Sequence, residues 1–179
     1  GALEVLRGGG SADARELTIE LTAMMCELAG VSRSRAEART ALAARLDDGR
    51  ALEVFRRMIE AQGGDARVVE QPELMPQAPV VMEVPAPSDG YVEFVDARQI
   101  GRLVLRLSGG RVAAGAPIDL SVGVDRLVQM GEHVVAGQPL MRLLAADPTA
   151  AECALPEAMA AVCLRETPPA ARKLILEEL

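Results

Sequence analysis

The chain has 179 residues, half of them apolar, and a formal net charge of −7 at pH 7. This balance excludes an intrinsically disordered chain and offers no clustered positive face for nucleic acid, and no apolar run approaches the ~20 residues that span a bilayer. The only aromatic residues are Phe55, Tyr91 and Phe94, so the core is left to Leu, Val, Ile, Met and Ala in one or two domains.

The first part reads as helices. Residues 2–7 are expected to end a helix, stopped by Gly8, Gly9 and Gly10. Asp13 is expected to cap the next helix, with Glu16 completing a capping-box-like pair. Leu17, Leu21, Met24 and Leu28 recur at helical spacing and predict its core face, with Gly30 as the C′ residue. Ser34 and Glu37 form a capping box for a helix carrying Leu42 and Leu46, which Gly49 ends. Leu52, Phe55, Ile59 and Gln62 predict a third helix, widened by Val54 and Met58 and closed by Gly63-Gly64. Short turns between these helices predict a compact helical layer. Residues 71–80, QPELMPQAPV, hold three prolines and no period, which marks a connector.

The second part mixes strands and helices. Val80–Val84 predicts a strand, Ser88-Asp89-Gly90 a turn and Tyr91–Val95 the next strand, with Tyr91, Glu93 and Val95 on one face. Asp96 caps a helix whose apolar face is Ile100, Leu103, Val104 and Leu107, ended by Gly109-Gly110. Ile118–Val122 predicts a short strand, and Leu140–Leu144 another after the Gly131 and Gly137 turns. A helix is expected over Ala150–Leu164, kinked or started by Pro156. Leu174–Leu176 is a candidate last strand.

Few motifs carry chemistry. GEHVVAGQPL, residues 131–140, has the glycine spacing of a biotinyl or lipoyl hammerhead, in which each glycine serves a turn between short antiparallel strands. A carrier domain needs a lysine at a hairpin tip. The only lysine is Lys173, so swinging-arm chemistry is excluded and a barrel-like shape remains. His133, the only histidine, reads as a solvated turn residue beside Glu132 rather than a base or ligand. Ser108-Gly109-Gly110-Arg111 and Gly8-Gly9-Gly10 are weighed as anion cradles, against simple helix termination. Asp47, Asp48 and Asp147 read as solvated turn acids. Cys26, Cys153 and Cys163 are odd in number without metal spacing, the pattern of buried reduced thiols in a cytoplasmic protein. No catalytic, cofactor-binding or metal-binding residue is therefore assigned.

The order of parts in VPAPSDGYVEFVDARQIGRLVLRLSGGRVAAGAPIDLSVGVDRLVQMGEHVVAGQPLMRLL resembles the C-terminal domain of the thymidine and pyrimidine-nucleoside phosphorylases. ALEVLRGGGSADARELTIELTAMM and LDDGRALEVFRRMIEAQGGD resemble the helices that precede that domain. The resemblance implies an α+β fold: a helical segment at 1–70, a linker at 71–79 and an α/β-hammerhead, barrel-sandwich-like domain at 80–179. It implies a cytoplasmic homodimer that cleaves pyrimidine (deoxy)nucleosides with phosphate, giving free base and (deoxy)ribose 1-phosphate. No nucleic acid, membrane or cofactor is implied as a partner.

The family's phosphate- and base-binding segments would lie before residue 1, so the chain is expected to be an inactive C-terminal fragment partnered by its N-terminal remainder, with Gly1 a remnant of cloning. A family glutamate that holds a structural cation aligns with Arg7, and a guanidinium cannot ligate a cation. The alternative reading is a non-catalytic interaction or scaffold module of the same shape. Base and sugar preference, and nucleoside against nucleotide substrates, are not encoded in this segment.

Overall fold

The structure is a computed structural model that describes residues 1–111, 113–170 and 174–175. The chain divides into two compact units, one formed by Gly1–Leu74 and the other by residues 75–170. The class is α+β. Among the described residues no helix is long and apolar enough to cross a membrane.

The first unit holds α1 (Ala2–Leu6), α2 (Ala12–Leu28), α3 (Arg35–Asp47) and α4 (Arg50–Ala61), then two short 3-10 turns at Ala66–Val69 and Pro72–Leu74. Helices α1, α2 and α4 stop in the same way. The second amide after the C-cap reaches back five residues: Gly9 to the Glu4 carbonyl, Val31 to Cys26 and Gly64 to Ile59. This is the Schellman arrangement, which requires a left-handed residue in between. Gly8, Gly30 and Gly63 supply it at φ +82, +66 and +77. Gly10 is needed for a second reason. Its φ is +78, and a Cβ there would lie 2.8 Å from Cγ2 of Val5, so a side chain would strain the backbone and collide with a buried neighbour.

Two expectations for α2 are corrected. Ser11 is the N-cap, its hydroxyl accepting from the Ala14 amide at 3.2 Å, and Asp13 stands in the first turn. The buried face is Ile19, Glu20 and Ala23, whereas Leu17, Leu21 and Leu28 are exposed at 37%, 51% and 87%. The reason is a polar contact that apolar spacing does not register. Glu20 is buried and paired with both Arg35 and Arg39 of α3, Arg39 also holds Glu16 at 2.7 Å, and α3 therefore packs on that side. In α3, Ser34 accepts from the Glu37 amide, and Ala38 and Leu46 are buried. In α4 the predicted Leu52, Phe55 and Ile59 face is half-buried, while Val54 and Met58 are exposed.

The second unit contains two three-stranded antiparallel sheets. One has the order β1 (Val80–Pro85), β5 (Pro139–Ala145), β3 (Gly123–Asp125). The other has the order β4 (His133–Val134), β2 (Gly90–Val95), β6 (Val162–Arg165). Neither closes into a barrel among the described residues, which corrects the barrel-like shape expected from the glycine spacing. Helices α5 (Ala97–Arg106) and α6 (Pro148–Ala160) complete the unit. Val84, Leu140, Leu143 and Ala145 form the core with Ala151, Ala154 and Ala158 of α6. Three alanines at helical spacing give α6 a narrow face that can approach the sheet closely. Helix α5 is as expected: Asp96 accepts from the Arg98 and Gln99 amides, and Leu103 and Leu107 are buried.

Other boundaries differ. The strand expected at Ile118–Val122 lies at Gly123–Asp125, because the Asp119 carboxylate accepts from both the amide and hydroxyl of Ser121 and turns the chain first. The last predicted helix starts earlier, at Pro148 behind the Asp147 cap, and ends at Ala160; Val162–Arg165 instead pairs with β2. Pro156 lies inside α6, where it lacks an N–H for the carbonyl one turn back. Leu174 and Ile175 are in no strand, and Lys173 and Leu176 lie outside the described residues.

This core sets a stability expectation. Leu143→Ala, at a position with no exposure, should cost about 2–5 kcal/mol. Val81→Ala, at a half-exposed position of the same sheet, should cost under about 0.5 kcal/mol. Urea unfolding of the two variants checks the contrast, and equal losses would contradict the packing described.

Candidate functional site

The GEHVVAGQPL segment works as a brace between strands. Gly131 donates to the Val92 carbonyl and Val92 donates to that of Glu132, each at 2.8 Å. The Glu132 carboxylate accepts from the Gln129 amide at 3.0 Å, so its charge is used in the turn. At the second glycine, Gly137 donates to the Ala86 carbonyl and Ala86 donates to Gln138. Asp89 accepts from the Ala136 amide at 2.7 Å. These bonds fix residues 131–138 against residues 86–92, with Val134 fully buried between them. Gly90 permits the close approach of β6: a Cβ there would stand 2.9 Å from the Arg165 carbonyl oxygen.

His133 lies at the start of β4 rather than in the turn. It is exposed, faces Tyr91 across the strand pair and meets its ring edge-on at a centroid distance of 4.8 Å. No group of three or more metal-ligating side chains exists among the described residues. The arrangement is an exposed cross-strand ring pair of the kind that stabilises sheets.

Both glycine runs weighed as anion cradles end helices. Gly8 and Gly9 donate to the Val5 and Glu4 carbonyls. Ser108 and Gly109 donate to the Leu105 and Val104 carbonyls in the same Schellman pattern. Here a serine holds the left-handed position, at φ +71, a conformation uncommon outside glycine. Four amides that could have faced an anion are thus bonded within the fold.

The acidic candidates also have structural partners. Asp47 accepts from Arg15 at 2.7 Å, Asp48 pairs with Arg50, and Asp147 accepts from the Ala150 amide at 2.8 Å. Arg7 donates to the carbonyl of the buried Val69, so a guanidinium ties α1 to the first 3-10 turn. Cys26, Cys153 and Cys163 are unbridged thiols, but the expected burial is corrected: Cys26 is half-buried, and Cys153 on α6 and Cys163 on β6 are exposed because the buried positions of α6 are Ala151, Ala154 and Ala158 and that of β6 is Val162.

Apolar patterns did not signal the two charged clusters that organise this chain. One is Glu20 with Arg35 and Arg39. The other is Asp125 of β3, gripped in a two-pronged contact by Arg142 of β5, its register partner, with the first prong at 2.8 Å. Glu83 of β1 is the register partner of Arg142 on its other side. The Arg142 hydrogen bonds hold the Asp125 carboxyl below the usual carboxylate range. Opposite charges at cross-strand positions could have suggested this pair, once the β3 register was known.

Comparison with known proteins follows the second unit. Residues 91–164 match the family model described as pyrimidine nucleoside phosphorylase C-terminal domain. The chain is 39% identical over 153 residues to the thymidine phosphorylase of Burkholderia cenocepacia (strain HI2424), an alignment covering 85% of this chain and 35% of that protein. It is 37% identical over 142 residues to the pyrimidine-nucleoside phosphorylase of Geobacillus stearothermophilus, covering 79% and 33%. The corresponding protein of Bacillus subtilis (strain 168) is 36% identical over 144 residues, covering 80% and 33%. The chain spans about a third of the length of the curated relatives it matches.

The Asp125–Arg142 pair predicts a pH dependence. A carboxyl lowered on folding stabilises the fold above its unfolded value, near 3.9, and that contribution disappears as pH falls through the lowered folded value. Unfolding free energies taken from pH 6 down to about 2.5 should therefore fall more steeply below about 4 in the parent chain than in Arg142→Met. Parallel curves would contradict the pairing.

Proposed function

Because the chain belongs to the thymidine and pyrimidine-nucleoside phosphorylase family through the domain at residues 91–164, we propose that it is the C-terminal portion of such an enzyme. The whole enzyme is a pentosyltransferase of nucleoside salvage. In its reversible reaction, phosphate oxygen bonds to the anomeric carbon of a pyrimidine (deoxy)nucleoside as the carbon–nitrogen bond to the base breaks. The products are the free base and (deoxy)ribose 1-phosphate.

The observation that carries this reading is the alignment with curated phosphorylases at 36–39% identity over most of the chain. This portion's own role is structural. Its candidate anion-binding amides close helices, its acids cap or pair, and its histidine meets Tyr91 edge-on. The partner is the N-terminal remainder of the same enzyme, which would bring the phosphate and nucleoside sites.

Helix α2 supports that partnership. Its buried side packs on α3, yet Leu17, Leu21, Met25 and Leu28 on the other side remain exposed. A helix apolar on both sides is normally covered on both, and a contiguous exposed apolar patch marks an interface. We assign this stripe to contact with the remainder. Residues 1–70 then form a helical segment of the larger lobe, 71–79 a linker and 80–179 the C-terminal domain. A cytoplasmic location fits the three unbridged cysteines, which suit a reducing compartment, and the homodimer is proposed from the family resemblance alone.

Two measurements test this reading. The chain alone, incubated with thymidine and phosphate, should release no thymine above the protein-free control, whereas joining it to its missing segment should restore turnover. Release by the chain alone at about 1 s⁻¹, a modest enzyme rate, would contradict the reading, and no turnover from the joined protein would favour a scaffold module. Limited proteolysis should cut first within residues 71–79, most of which are exposed and carry no helix beyond Pro72–Leu74. First cleavage inside α2 would count against the division.

A further inference from the structure

Helix α5 sets Leu103 and Leu107 into the core of the second unit and leaves its opposite side exposed. That side holds Arg98, Gly101, Arg102 and Leu105, which span roughly 100° of helix surface. It is cationic in an acidic chain. Residues 97–118 contain four arginines and no Asp or Glu, and no other stretch of the sequence runs as long without an acid. Arg106 is taken by Glu157 of α6 at 2.7 Å. Arg98 acts on the Asp96 carboxylate through charge, and only its backbone amide donates there. Arg102 is exposed and makes no hydrogen bond or ion pair among the described residues.

Gly101 points the same way. It stands inside α5, where glycine weakens a helix relative to alanine. Nothing among the described residues requires it, since its φ is not positive and a Cβ there would meet no atom within 4 Å. A helix glycine with open space above it fits the close approach of a backbone from outside the chain.

The face is small. A strip roughly 15 Å long and about 10 Å wide falls far short of the ~800 Å² per partner that holds separate proteins together. A tethered segment needs no such area, because linkage supplies a high effective concentration. We propose that a carboxylate-bearing segment of the N-terminal remainder lies across α5 at Gly101, pairing with Arg98 and Arg102 and covering Leu105. Guanidinium groups suit carboxylates through their parallel N–H donors. This contact rests on the reading of the chain as the C-terminal portion of a longer enzyme, and it lies on the second unit, apart from the α2 stripe.

Thermal unfolding of the chain alone and of the chain joined to its missing segment tests it. Gly101→Met should leave the melting temperature of the chain alone unchanged or raise it, because the position is open and methionine favours helix. In the joined protein it should lower the melting temperature by roughly 2 °C or more, because the new side chain meets the docked segment. Arg102→Gln should be neutral in the chain alone and destabilising in the joined protein. Arg102→Lys should lose less, and added salt should shrink the Arg102→Gln loss. Equal shifts in the two forms, for either Gly101→Met or Arg102→Gln, would overturn the proposal, as would an Arg102→Gln loss that salt does not reduce. Thymidine turnover by the joined protein reads the enzyme assignment separately. Turnover with equal shifts would sink this contact alone, whereas unequal shifts without turnover would uphold the contact and count against the enzyme.

Discussion

The second unit depends on one contact, the seating of the α6 alanines on β1 and β5. Strand β5 is central in its sheet, and Met141, Leu143 and Ala145 on one face have no exposure. Ala151 and Ala158 of α6 have none either. Small side chains on the helix let large ones on the strands fill the space between, in a core with few aromatics. Once α6 is held there, its C-terminal end delivers the chain directly into β6. Strand β6 then pairs with β2, and β2 with β4. The glycine-rich brace at residues 131–138 closes onto β2 and the segment before it. The whole unit is thus assembled around a helix–sheet contact rather than around a binding cleft.

The helical unit is organised by charge. Glu20 accepts two guanidinium groups in a nearly buried position, and α3 is oriented by that pairing. Burial of a carboxylate is tolerated only with such partners. The consequence is an α2 whose most regular apolar stripe faces outward. In an isolated chain this stripe is a cost, and in a larger protein it is a contact surface. The relatives are more than twice as long as this chain, and the proposed remainder would cover the stripe.

Local signals in the sequence were the readable ones. Asp96 before Ile100, Leu103 and Leu107 identifies α5 because its cap and its apolar face agree. Gly30 and Gly63-Gly64 identify helix ends because the left-handed position favours glycine. Ser11 was missed as the α2 cap because Asp13, two residues later, is an equally good capping type. The α2 face was misread because apolar periodicity does not register a buried Glu–Arg contact. Residues 162–164 fall within the expected helix but form a strand, because their pairing is with β2, some seventy positions away. The lone histidine and the lone lysine are read directly from the sequence, but the Asp125–Arg142 clasp required the β3–β5 register, which no local pattern encodes.

The central claim is that α2 presents a face meant for the rest of a longer enzyme. Hydroxyl-radical footprinting reads this at native residues, with Met25 as the reporter because its thioether oxidises readily and it is 60% exposed here. The account predicts fast oxidation of Met25 in the chain alone and several-fold protection when the chain is joined to its missing segment. Equal oxidation in the two forms would contradict it.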